Sequence, residues 1–105
     1  MKLYVVTRND LTLQYQLPQA IHAVVQFSME FPDDQRSWFN TSNTVVVLAA
    51  KDKEDLDKFA ESLKQAGVRH SLFYEPDIGN ELTALTIVPT PEAKKLCSKF
   101  KLAGK

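Results

Sequence analysis

Residues 3–27 read LYVVTRNDLTLQYQLPQAIHAVVQF, and the rest of the chain is arranged around the strand, loop and helix in this stretch. The segment Leu3–Thr7 is short, aromatic and β-branched, which predicts a strand buried on both faces. No clear period runs through residues 11–16, so we expect a loop there. Pro18 suits the first turn of a helix, where its missing N–H is not needed, and the helix is expected to run to about Glu30.

The predicted helix has two faces of different character. Gln19, His22 and Gln26 are spaced at i, i+3 and i+7, so they share one polar face. We expect the other face to pack against the sheet, and it consists of Leu17, Ile21, Val24 and Ser28. A polar row beside an apolar one, directly after a strand, is the most site-like feature of the sequence.

Further strands are expected where β-branched and apolar residues form short runs. These runs are residues 44–49, 70–74 and 82–88. Residues 75–80, EPDIGN, have the composition of a turn. Residues 33–41 fit either a short helix or a turn, and the tail from residue 100 either adds an edge strand or frays.

Two more helices follow from capping signals and apolar spacing. A helix over residues 53–66 is predicted with Asp52 as its N-cap and Gly67 as the residue after its end. Thr90 and the proline after it predict the start of a last helix, which is expected to run to about Lys99.

This order of elements indicates an α/β layered fold. Right-handed crossovers make the first three strands parallel, and the short turn makes the fourth strand antiparallel to the third. Ligands in open sheets bind at the carboxyl ends of the parallel strands. Residues 8–17, 50–52 and 75–80 meet at that edge. We therefore expect a site there, with the first helix against the 75–80 turn and His22 about one turn from the start of that helix.

The composition is that of one soluble domain, spanning residues 1–105. The formal net charge is zero and the pI is about 6.7, so global charge does not favour nucleic acid. The single cysteine, Cys97, excludes an internal disulfide and is expected to be a small core residue in a reducing compartment. No apolar run reaches the roughly 18 residues of a membrane span, and the N-terminus leads directly into a strand. We therefore expect a cytoplasmic protein without membrane contact.

The sequence resembles the type II peptidyl-tRNA hydrolases, and more closely the short peptidyl-tRNA hydrolase domain-containing proteins. The similarity is carried by R-x-D-L at residues 8–11, by Q-x-x-H-A at residues 19–23, and by the order of VVVLAA, DLDKFAESLKQAGVRHSLFYE and LTALTIVPTP after them. It implies a three-layer α/β/α sandwich whose four-stranded mixed sheet has the order 2-1-4-3, with strand 4 antiparallel. It also implies hydrolysis of the ester between a peptide, or an N-blocked amino acid, and tRNA. No metal or other cofactor is implied, and a homodimer is one option for the assembly.

The resemblance also implies roles for individual residues. His22 and Asp10 match positions expected to be catalytic. The expected substrate-binding residues are Arg8, Gln19, Thr83 and Asp77, with Glu75 as the alternative to Asp77 for the family's acidic residue. The family's functionally important lysine, which lies between the two motifs in type II enzymes, has no counterpart, because no lysine occurs between Lys2 and Lys51.

Each of these residues also has a plainer interpretation. His22 is either a general base or a helix histidine that bonds a neighbouring loop. Arg8 and Asp10 are either a surface pair or part of a phosphate clamp. A cluster of four lysines near the C-terminus is either a solvated face or a patch for an RNA backbone, and it consists of Lys94, Lys95, Lys99 and Lys101. Two functions stay open: an ester hydrolase acting on tRNA, and a binding or interaction module that has kept the fold without the chemistry.

Overall fold

The computed structural model describes residues 1–105. Its helices and strands are, in chain order, β1 (Leu3–Arg8), α1 (Leu13–Glu30), α2 (Pro32–Thr41), β2 (Val45–Ala50), α3 (Lys53–Gln65), β3 (His70–Glu75), β4 (Glu81–Ile87), α4 (Ala93–Leu96) and β5 (Lys101–Leu102). A single 3₁₀ turn, Pro76–Ile78, connects β3 to β4. None of the helices combines the length and the hydropathy needed to span a lipid bilayer.

The strands form one mixed sheet in the order β3-β4-β1-β2-β5. β1 pairs in parallel with β2, and β4 pairs antiparallel with both β1 and β3. The expectation of a four-stranded sheet is wrong, because Lys101–Leu102 pair antiparallel with β2 and add a fifth strand at that edge. The remaining four strands lie side by side in the order β2-β1-β4-β3. The parallel direction of β1, β2 and β3 is as expected.

Helices cover both faces of the sheet, and β1 supplies a core to each. Leu3 and Val5 contribute to the core beneath α1 and α2, which also contains Ala23, Phe27 and Trp38. Tyr4 and Val6, on the opposite face, contribute to the core beneath α3 and α4, with Leu56, Phe59, Ala93 and Cys97. This alternation is what a central strand requires when both of its faces are buried. Cys97 is therefore a core residue, as expected.

α1 begins at Leu13, so the expected loop over residues 11–16 is wrong for most of its length. The side chain of Thr12 accepts a hydrogen bond from the backbone N–H of Tyr15 at 3.3 Å and caps the helix. Pro18 lies inside the helix, where its ring nitrogen has no hydrogen to donate to the carbonyl four residues earlier. The capping threonine, rather than the proline, determines where the helix starts.

The face of α1 that contacts the sheet also differs from the expected one. Leu17 and Ile21 are exposed, and Val24 and Ser28 are only half-buried. The buried residues are Gln16, Gln19, Ala20, Ala23 and Phe27. The two glutamines are buried because threonines of the sheet hydrogen-bond to them, and a search for apolar periodicity does not detect such partners. Thr7 Oγ1, for example, donates to Gln16 Oε1 at 2.9 Å.

α3 has the predicted caps at both ends. Asp52 Oδ1 accepts the backbone N–H of Asp55 at 2.9 Å. At the other end Gly67 has a φ of +69°, a left-handed conformation that favours glycine. The backbone N–H of Val68 then bonds to the carbonyl of Leu63 at 3.0 Å, which completes the glycine-terminated C-cap.

The remaining helical predictions have mixed outcomes. Residues 33–41 are helical, since they lie within α2, and the buried Trp38 of that helix donates its indole N–H to the carbonyl of Thr44 at 3.0 Å. The last helix is much shorter than expected, because α4 spans only Ala93–Leu96. Its N-terminus has no side-chain cap, so the cap predicted at Thr90 is wrong.

Candidate functional site

Three buried side chains form a chain of hydrogen bonds between α1, β3 and β4. Thr83 Oγ1 donates to Gln19 Oε1 at 2.6 Å, and Gln19 Nε2 donates to Glu75 Oε1 at 2.9 Å. Gln19 is only 1% exposed and Thr83 is fully buried. Because buried polar groups must find partners, these bonds fix the rotation of α1 over the sheet.

An irregularity in the sheet brings Thr83 to this position. Phe73 pairs with Ala84, but the next residue of β3, Tyr74, pairs with Leu82, so β4 contains one extra residue at Thr83. A β-bulge of this kind redirects the side chain of the inserted residue. Here the hydroxyl of Thr83 reaches α1 and not another strand.

Glu75 is the acidic member of this chain and ends β3. Its second carboxylate oxygen accepts the backbone N–H of Asp77 at 3.3 Å. The hydrogen bond from Gln19 lowers the pKa of Glu75 below its ordinary value, although burial acts in the opposite direction. Glu75 is therefore an anion at neutral pH, held by donors from α1 and from the turn after β3.

His22 lies beside this buried chain but is itself exposed. Its ring stacks on Phe73, with ring centroids 4.6 Å apart and planes inclined by 20°. Neither ring nitrogen is hydrogen-bonded within the chain, whereas Nδ1 of the other histidine, His70, lies 2.7 Å from the carbonyl oxygen of Val68. The contact with Phe73 holds the imidazole of His22 in place and leaves both nitrogens available.

Tyr15 extends the same face of α1 toward the turn. It precedes Gln19 and His22 at helical spacing, and it is half-buried. Burial raises the pKa of Tyr15, and the negative charges of Glu75 and Asp77 raise it further. The phenol is therefore protonated at neutral pH and can act as a hydrogen-bond donor.

A second polar cluster lies at the end of β1 and is centred on Arg8. The guanidinium donates to both carboxylate oxygens of Asp10, at 2.9 and 2.8 Å, and its Nη1 donates to Glu81 Oε1 at 2.8 Å and to the carbonyl of Leu82 at 3.1 Å. The Arg8 side chain is only 6% exposed, so the interpretation as a surface pair is wrong. All but one of its N–H donors are used within the chain.

The carboxylates of this second cluster are strongly bound by Arg8. The hydrogen bonds from Arg8 lower the pKa of Asp10 below its ordinary value, against the effect of burial. The two clusters adjoin each other, because Glu81 pairs with Glu75 across β3 and β4 and because Leu82 is followed by Thr83. They form one polar end of the sheet, at the edge predicted from the sequence.

Comparison with known proteins assigns this chain to a family. The family model described as Peptidyl-tRNA hydrolase PTH2 matches residues 1–103. This chain belongs to the type II peptidyl-tRNA hydrolase family. A solved protein of unknown function from Agrobacterium tumefaciens strain C58 has a similar structure, with a TM-score of 0.70 and 16% sequence identity over 98% of this chain and 97% of that one. At that identity the similarity shows the fold alone. No curated protein matches the chain in sequence.

The structure brings together some of the residues expected from the type II peptidyl-tRNA hydrolases and separates others. Gln19 and Thr83 are in direct contact, but their acidic partner is Glu75, whereas the carboxylate of Asp77 is exposed. Asp10 is bound to Arg8 and not to the histidine. His22 is the tenth residue of α1, so the expectation that it lies about one turn from the helix start is wrong.

This end of the type II peptidyl-tRNA hydrolase fold also contains two residues that the sequence analysis did not identify. Tyr15 was hidden because its segment was interpreted as a loop. Lys53 begins α3, and its Nζ donates to Asp57 Oδ2 at 2.7 Å. That hydrogen bond raises the pKa of Lys53, with a smaller contribution from the charge of Glu81. A lysine therefore adjoins the Arg8 cluster although none lies between Lys2 and Lys51 in the sequence.

No three His, Cys, Asp or Glu side chains lie together as a set of metal ligands. The groups at the polar end can take part in proton transfer and hydrogen bonding. They comprise an exposed imidazole, a protonated phenol, and carboxylates bound by protein donors. An imidazole with an unbonded ring nitrogen can accept a proton from water, and a phenol can stabilise a developing negative charge.

Proposed function

We propose that this chain hydrolyses the ester that joins a peptide, or an N-blocked amino acid, to tRNA. Membership of the type II peptidyl-tRNA hydrolase family over residues 1–103 supports the class of reaction. The main structural support for the proposed site is the exposed ring of His22, which stacks on Phe73 next to the buried hydrogen bonds of Gln19. The same proposal assigns the protein to translation in the cytoplasm.

His22 is the general base in this proposal. Its imidazole accepts a proton from a water molecule, whose oxygen attacks the carbonyl carbon of the ester. The bond from that carbon to the ribose oxygen then breaks, and the imidazolium returns the proton to the ribose oxygen. General acid–base catalysis by one positioned side chain contributes about 10²- to 10⁴-fold.

The negative charge that develops on the carbonyl oxygen needs a hydrogen-bond donor. We assign this role to the phenol of Tyr15, which is kept protonated by its burial and by the charges of Glu75 and Asp77. Gln19 and Thr83 act on the substrate only through the position of α1, because both are buried and bonded to each other.

The second cluster has a positioning role in the same proposal. Arg8 is bound to Asp10, Glu81 and a backbone carbonyl, so it offers a substrate only one N–H group. Asp10 is ionised and orients Arg8, which makes it unsuited to be a proton donor. Lys53, at the start of α3, is the cation of this cluster that is exposed to solvent.

A specific observation favours the alternative, a module that binds tRNA without hydrolysing it. The hydrogen-bonding groups of Arg8, Gln19 and Thr83 are largely satisfied by the protein itself, as in a site whose role is structural. The family's lysine is also missing from its usual segment.

A release assay separates the two functions. Purified protein is incubated with tRNA carrying an N-acetylated amino acid and, in parallel, with the same tRNA carrying an unblocked amino acid. The proposal predicts release of the N-acetylated residue above the spontaneous rate, and a lower kcat/KM for Tyr15→Phe. Binding of the tRNA without release at high enzyme concentration supports the module instead.

A further inference from the structure

A basic pocket of about 320 Å³ lies at the carboxyl ends of β1 and β2. It is outside the two clusters described above. Lysines approach it from two parts of the chain, because the pairing of β5 with β2 brings the C-terminal segment alongside the start of α3. The four lysines that line the pocket are Lys51, Lys99, Lys101 and Lys105.

The charges of this pocket are not neutralised within the chain. None of its four lysines forms an ion pair, whereas Lys53 and Lys58 of the neighbouring helix both do. Asp55 is the one acidic residue in the lining, and its Oδ2 accepts the backbone N–H of Lys51 at 2.9 Å. A protein whose formal net charge is zero therefore concentrates unpaired positive charge in one concave region.

Lys99 is held in place by aromatic rings. Its Nζ lies 5.0 Å from the ring centroid of Phe59 and 5.2 Å from that of Phe100. Cation–π contacts orient a lysine while its ammonium keeps its full charge. The pocket thus has at least one cation whose position is fixed and whose charge is available to a ligand.

We propose that this pocket binds backbone phosphates of an RNA whose esterified end occupies the candidate site. The inference rests on the proposed function for the identity of the RNA. Asn9 lines the pocket and directly follows Arg8, so the pocket adjoins the Arg8 cluster at the end of β1. In this proposal the polynucleotide crosses the end of the sheet from β3, past β4 and β1, and reaches the lysines beside β2 and β5.

The chemistry of the lining favours a polyanion over a single free anion. A free phosphate is usually held by several oriented backbone N–H groups. Here the N–H of Lys51 is bonded to Asp55 and the N–H of Asn9 to the carbonyl of Ala50 at 2.8 Å. What the pocket offers is separate lysine point charges, which gain affinity by releasing counterions from successive phosphates.

The test compares two double variants that change the net charge by the same amount. Lys51→Gln/Lys101→Gln removes two lysines of the pocket, and Lys2→Gln/Lys64→Gln removes two exposed lysines that are not part of it. Binding of a fluorescent RNA stem-loop with a single-stranded 3′ tail is measured at a series of salt concentrations. The proposal predicts that the pocket variant binds more weakly and that its log–log salt slope falls by about one per lysine. The control should bind like the wild type.

Equal affinity of the two double variants for the stem-loop would overturn the proposal. So would displacement of the RNA by inorganic phosphate at constant ionic strength, because the pocket would then be a site for a free anion. Thermal unfolding checks that both variants are folded, which is expected since all four side chains are exposed.

A second substrate separates failure of this inference from failure of the proposed function. N-acetyl-aminoacyl adenosine carries the ester without backbone phosphates. The pocket variant should hydrolyse it at the wild-type rate while its KM for the full tRNA ester rises. If the wild type hydrolyses neither ester but the two double variants still differ in RNA binding, the proposed hydrolysis fails and the pocket assignment stands.

Discussion

Nε2 of Gln19 donates to Oε1 of Glu75 at 2.9 Å, and this buried bond ties the centre of α1 to the end of β3. Gln19 is one turn from His22 on the same helix, so the bond also fixes where the exposed imidazole lies relative to Phe73. The orientation of the candidate base therefore depends on a carboxylate that the substrate does not need to touch.

The hydrogen bond to Glu75 should make stability depend on pH. The folded-state pKa of Glu75 is lowered from its ordinary value of 4.5, chiefly by Gln19. Its contribution to stability is therefore fully present above about pH 4.5 and is lost as the pH falls through the lower folded-state value. Unfolding of the wild type and of Glu75→Gln, followed by denaturant titration from pH 7 to pH 3, should show a stability difference that changes only in this acidic window. A pH-independent difference would contradict the assignment.

The hydroxyl of Thr83 should matter far more than that of a neighbouring threonine. Thr83→Val leaves Gln19 Oε1 buried without its donor, and we expect a loss of about 1–3 kcal/mol in the free energy of unfolding. Thr86 in the same strand is the matched control, because its buried Oγ1 has no hydrogen-bond partner. Thr86→Val should be neutral or slightly stabilising in the same denaturation experiment. Equal effects of the two substitutions would show that the bond to Gln19 contributes nothing.

Much of the fold could be predicted because short stretches of the sequence indicate its strands and helix ends. The β-branched runs indicated the four main strands, and Asp52 and Gly67 indicated both ends of α3. The rotation of α1 could not be predicted, since its buried face is set by Gln16 and Gln19, whose partners lie on distant strands. A search for apolar periodicity assigns such glutamines to solvent.

The polar residues at the end of the sheet were predicted in part, but their contacts could not be. Glu75 and Asp77 could not be distinguished in the sequence, because only the register of β3 against β4 shows which carboxylate faces α1. Lys53 follows β2 and reaches the Arg8 cluster through the packing of α3, which no local pattern reveals. The burial of Arg8 could not be predicted either, because its partner Glu81 is 73 residues away in the sequence.

Replacement of Arg8 should destabilise the protein as well as affect any activity. Its side chain is buried and bonded to two carboxylates, so Arg8→Ala should reduce the free energy of unfolding by about 2 kcal/mol or more. Arg36→Ala is the control, because Arg36 forms an exposed pair with Asp33 that should be worth about 0–1 kcal/mol. An unchanged melting temperature for Arg8→Ala would contradict the structural role given to Arg8.

Cys97 should be unreactive in the folded protein. Its side chain is 1% exposed, and burial raises the pKa of the thiol to about 11. Since the thiolate is the reactive form, an aromatic disulfide reagent at pH 8 should modify the native protein slowly and the denatured protein rapidly. Fast, stoichiometric modification of the native protein would show that the last core segment opens readily.

The most direct test of the proposed chemistry is the role of His22. It compares the kinetics of His22→Ala and His70→Ala with N-acetyl-aminoacyl-tRNA as the substrate. His22 lies in α1, which packs on the sheet, and His70 begins β3 of the sheet itself, but only His22 has two unbonded ring nitrogens at the polar end. His22→Ala should lower kcat/KM by about 10²-fold or more and keep the wild-type melting temperature, while His70→Ala should keep most of the activity. Turnover by the wild type that His22→Ala leaves unchanged would exclude His22 as the base.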